Sequence, residues 1–95
     1  MSHALSSLEA LAETSESMAE AAVRQEWERL VQLQTERTAL VDTMPDNLAV
    51  HLLSGERIRA AELLETCRRI DAQILPLLGE RQAELRILLR EPALA

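Results

Sequence analysis

No proline occurs before Pro45 and no glycine before Gly55, so nothing up to Met44 obliges a helix to end. Strand formers are scarce over the whole chain, which holds one aromatic residue, Trp27, and draws most of its apolar surface from leucine and alanine. A β or α/β architecture is thereby excluded. The expected fold is all-α, an antiparallel bundle of three main helices in a single domain spanning residues 1–95.

Helix signals place the elements. Ser6-Ser7-Leu8-Glu9 reads as a capping box, in which the serine oxygen takes a free amide and Glu9 reaches back. Apolar residues then recur at three-to-four spacing through Leu8, Leu11, Met18 and Val23, predicting a helix over about 5–24. A second periodic stretch, about 26–43, carries Trp27, Leu30, Leu33, Arg37, Leu40 and Met44 and stops before Pro45. The pattern alone fits two helices or one continuous helix of about 60 Å at 1.5 Å per residue. Residues 45–55 form the connection, read as a short helical turn that docks its leucines on the bundle end. The last helix, about 56–90, carries the stripe Ala60, Leu63, Cys67, Ile70, Ile74, Leu77, Arg81, Leu85 and Leu88. Pro76 is expected to kink it.

A chain of 95 residues is small enough to need stabilising help. Cys67 is the lone cysteine and can form no internal disulfide, and no Cys/His cluster suggests zinc or another metal. Association with a partner is what remains. Net charge is −6 and every cation is arginine; the segment Met1–Val23 holds four glutamates and no basic residue, which argues against a nucleic-acid-binding arm. No apolar run approaches the ~20 residues of a membrane span, and the N-terminus lacks the basic and apolar regions of a signal peptide. A cytoplasmic protein is expected.

Catalysis finds no support in the motifs. His3 falls at the terminus, His51 in the connection, and Cys67 on an apolar stripe where a small thiol fills core space. No phosphate-cradling loop, metal spacing or nucleophile elbow occurs, so no enzyme and no cofactor is expected. Two arginines stand out, because Arg37 and Arg81 project onto apolar faces at about 100° per residue. Their stems can lie on apolar surface while the heads pair with a carboxylate, Asp71 and Glu84 being the candidates for Arg37. The other reading is a guanidinium that anchors an incoming peptide. Trp27, Leu30, Arg37, Cys67, Ile70, Ile74 and Leu85 are assigned to the structure of the bundle. Apolar content in excess of one seam, at Leu33, Leu40, Leu75, Leu78 and Leu89 together with Arg81, is assigned to a groove for a partner helix.

The segment Trp27-x-x-Leu30-x-x-Leu33-x-x-x-Arg37-x-x-Leu40 resembles the second-helix pattern of FliT-type flagellar export chaperones. Ile70-Asp71-x-x-Ile74, followed by Arg81-x-x-Glu84-Leu85-x-x-Leu88, is similar to that family's third helix. The resemblance covers roughly residues 5–90. It implies a small cytoplasmic bundle that binds the C-terminal segment of the filament cap protein (FliD-like) before export. The apolar groove would prevent early assembly and pass the client to the flagellar type III apparatus, with the export ATPase or export gate as further partners. Gln25 stands where the family often has glycine. Longer members carry a fourth helix that has no counterpart in these 95 residues, so autoinhibition and transcription-regulator binding are not expected. The alternative is a self-associating helical adaptor in which the same stripe forms a homodimer seam.

Overall fold

A computed structural model describes residues 2–94, with side chains through Leu88. It contains α1 (His3–Val23), α2 (Trp27–Asp42) and α3 (Arg57–Leu94), with short 3-10 turns at Leu48–His51 and Ser54–Glu56 between α2 and α3. No strand occurs among the described residues.

The first helix starts earlier than the local pattern suggests. Ser2, not Ser6, is the N-cap: its Oγ accepts the Leu5 N–H at 3.1 Å, and Ser6 lies inside the helix with its own N–H on the Ser2 carbonyl. The cause is tertiary. Ser2 N–H donates to the Glu56 carboxylate at 2.9 Å, and Ala4 and Leu5 are buried, so the extra turn is held by a residue 54 positions away.

Two separate helices, not one, precede the connection. Glu26 N–H returns to the Ala21 carbonyl at 2.8 Å and Gln25 N–H to the Ala22 carbonyl at 3.1 Å. This is the Schellman arrangement, which requires a left-handed residue at the turn, and Gln25 supplies it with φ 60°. The chain reverses there, so α2 runs back along α1. Val23, expected on the apolar face, is instead exposed, because the reversal carries the chain away beside it.

The bundle runs up, down and up. Ser2 meets Glu56, Glu9 lies 3.9 Å from Arg59, and Met18 shares a core with Ile74, so α1 and α3 are parallel with α2 antiparallel to both. Alanines and Ser15 on α1 let both neighbours approach closely, and α1 packs along α2 and α3 alike, while α2 and α3 stay apart. The core therefore forms around α1 in two clusters. The upper one gathers Met18, Ala21, Ala22, Leu30, Leu33, Ile70 and Ile74, with Trp27, Leu77 and Leu78 packed against it. The lower one gathers Leu5, Leu8, Leu11, Ala12, Ala60 and Leu63, closed below by Met44, Leu48 and Leu52. The leucines of the connection thus divide: Leu48 and Leu52 dock, whereas Leu53 is exposed.

α3 outruns the others. Its 38 residues against 21 in α1 make it about 57 Å long against about 32 Å, within a molecule 63 Å in length. It continues through Pro76, an exposed position, and every residue from Gln82 to Leu88 is exposed. Leu85, assigned above to the interior, is 40% exposed, because α3 has by then passed the end of α1.

Candidate partner-binding groove

Because α2 and α3 each pack on α1 but not on one another, a groove opens between them. Leu11, Ser15 and Met18 of α1 form its floor. Leu30, Gln34, Arg37 and Val41 make the α2 wall, and Cys67, Asp71, Ile74, Leu75 and Leu78 the α3 wall. These positions follow from helix geometry. Residues 30, 34, 37 and 41 form one i, i+4, i+7 row on α2, and residues 71, 74, 75 and 78 fall on one side of α3.

A single polar bridge crosses the groove. Arg37 Nη1 donates to Asp71 Oδ1 at 2.6 Å and reaches Ser15 Oγ at 3.4 Å. Ser15 is fully buried, while the side chains of Arg37 and Asp71 remain 23% and 49% exposed. The bridge sits between the upper and lower core clusters and divides the groove into two hollows, of about 280 Å³ above and 240 Å³ below. A wider depression of about 450 Å³ on the outer side of α2, around Val31 and Thr35, is lined by that helix alone and has no opposite wall.

The expected partner-contact residues fall in three places. Leu75, 66% exposed, and the half-buried Leu78 line the groove. Leu33 does not: it is buried inside the upper core, because α2 turns that side toward α1, and it lines neither hollow. Arg81 lies away from both hollows. Its guanidinium carbon stands 5.6 Å from the centroid of the Trp27 ring at the top of the bundle, with Glu84 at 3.9 Å. Leu40 is half-buried outside the groove lining, and the side chain of Leu89 lies outside the described residues. Among residues assigned to structure, Leu30, Ile70 and Ile74 are core, Trp27 packs half-buried on the upper cluster, and Cys67 is half-buried beside the lower hollow. Gln34, Val41 and the α1 floor were not assigned to a partner groove from the sequence. Gln34 interrupts the apolar row on α2, and the floor exists only once α1 has folded back.

The residues that could suggest chemistry are scattered. His3 and His51 line a hollow of about 380 Å³ at the base of the bundle with Ser7, Thr43, Met44 and Pro45, remote from Cys67 in the groove. No cluster of three or more metal-ligating side chains occurs among the described residues. The shifted ionisations also lie outside the groove. Hydrogen bonds from Ser2, its side chain first, and from the Leu53 N–H hold the Glu56 carboxyl below its ordinary range. A two-point bond from Arg68 does the same for Glu65 and raises Arg68 in turn.

The sequence profile of the family described as flagellar protein FliT matches residues 5–91, nearly the whole chain. The chain belongs to the FliT family. No curated protein and no solved structure matches it. FliT proteins are flagellar export chaperones, and no described helix of this FliT-family chain is long and apolar enough to cross a membrane.

Proposed function

We propose that this FliT-family chain is a cytoplasmic, non-enzymatic chaperone that holds the C-terminal segment of the filament cap protein in the groove between α2 and α3 until export. The observation that carries the reading is an unfilled position in the bundle. Two walls and a floor are present, Leu75, Leu78 and Val41 supply exposed apolar surface, and a fourth helix laid between α2 and α3 would bury it. Covering the client's apolar face requires no nucleotide, so the mechanism is a holdase, with transfer driven by competing affinity at the export apparatus.

The test is a titration of the full chain with a peptide from the C-terminal end of the source organism's filament cap protein, against a scrambled control. Trp27 fluorescence reports it, because the chain has no other tryptophan and no tyrosine, and calorimetry gives a second readout. Saturable binding of the cognate peptide, lost in Leu75→Asp with helicity unchanged, is the expected result. Absence of heat and of fluorescence change would exclude the cap-protein client.

A second reading, a self-associating adaptor, draws on the projecting end of α3, where Leu85, Ile87 and Leu88 are all exposed. Light scattering separates the two: a dimer across the accessible concentration range favours the adaptor, and a monomer excludes it.

A further inference from the structure

The Arg37–Asp71 bridge does more than tie α2 to α3. The two hollows share it: on α3 the lower is lined by Cys67 and Asp71 and the upper by Asp71, Ile74, Leu75 and Leu78, so their centres lie about 8 Å apart by helix rise. Residues i and i+7 of a docked helix, about 10 Å apart and on one face, reach into both and leave a position between them over the bridge. Between the hollows, Arg37 spends only Nη1 on Asp71 and Ser15. Its Nε and Nη2 donate to no other described residue.

A client lying in the groove removes water from those donors. A guanidinium N–H covered without an acceptor is costly, and Arg37 is the more buried member of the pair, its side chain 23% exposed against 49% for Asp71. The occupant must therefore bring an acceptor to the middle of the groove, and a carboxylate makes the strongest bond to a guanidinium.

Resting on the groove reading above, we propose that the bridge is a specificity element: the groove selects an amphipathic client helix with two apolar anchors seven residues apart and an acidic residue between them, which bonds the free donors of Arg37.

A displayed library of helical peptides, randomised over a central window and selected on the immobilised full chain, tests this without knowledge of the natural client. The expected outcome is enrichment of Leu, Ile, Met or Phe at two positions seven apart, with Asp or Glu at the third or fourth position between them. For a selected peptide, replacing that acid by its amide should weaken binding about tenfold, equivalent to about 1.4 kcal/mol. Arg37→Gln should abolish this difference, with circular dichroism confirming that the variant is folded. Asp71→Asn, which retains Arg37 and removes its competitor, should tighten binding of the acidic peptide. Apolar pairs enriched without an acid, or an acid preference that survives Arg37→Gln, would overturn the proposal and leave the groove reading standing. Failure to enrich any peptide, or selected peptides that still bind Leu75→Asp, would overturn both.

Discussion

Gln25 occupies a backbone conformation that an L-residue with a side chain adopts at a cost of roughly 1–2 kcal/mol, and glycine adopts freely. The Schellman bonds from Glu26 and Gln25 hold it there, so the α1–α2 reversal survives without glycine. Gln25→Gly should therefore stabilise the chain by about 1 kcal/mol. Denaturant unfolding would show it as a higher midpoint at unchanged slope. Glu56 is a second long-range device at a single residue, receiving N–H bonds at 2.9 Å from both Ser2 and Leu53. Its folded pKa is lowered, so the unfolded chain binds more protons in the acidic range and stability rises with pH there. The contribution is present above the ordinary glutamate range and is lost as pH falls through the lowered folded value. Melting temperature followed from neutral to acidic pH should fall less steeply in Glu56→Gln than in the parent chain.

Among the elements, α1 carries the architecture and α3 the surplus. Alanine and serine on α1 bring two helices against it, while α2 and α3 do not close on one another. The helical stretches were legible beforehand, since three-to-four spacing marks helices well and Pro45 marks the end of the second, but the pattern left open whether the first two were one helix or two. What local spacing missed were the ends set at a distance: the Ser2 cap held by Glu56, and the exposure of Leu85 where α3 leaves its neighbours behind. Gly79 lies inside α3, where an added Cβ would meet nothing within 4 Å. Gly79→Ala should stabilise the chain by about 0.5–1 kcal/mol through helix propensity and a less flexible unfolded state. A rise in thermal midpoint with an unaltered spectrum of the folded form would establish it.

Taken whole, the molecule is a bundle at one end and a bare helix at the other. Amides around Leu63, Ile70 and Ile74, packed in the two clusters, should exchange with solvent only on global unfolding. Those from Gln82 to Leu88, with no neighbouring helix, should exchange by local fraying at far lower free energy. Hydrogen exchange read by residue would separate the two groups, and uniform protection along α3 would mean that the projecting end is covered in solution. Composition and period were sufficient for an all-α chain with helices close to those observed, because helix formation answers to neighbours three and four residues away. They also offered Asp71 and Glu84 as partners for Arg37, and packing chose Asp71. Which leucines face inward was settled by packing. Leu33 and Leu75 are equally apolar in the sequence, yet one is sealed against α1 and the other stands at a groove. The groove, its floor and its polar bridge join residues from three helices up to 67 positions apart, from Leu11 to Leu78, and no local period carries that information. They exist because α2 and α3 both pack on α1 without closing on one another.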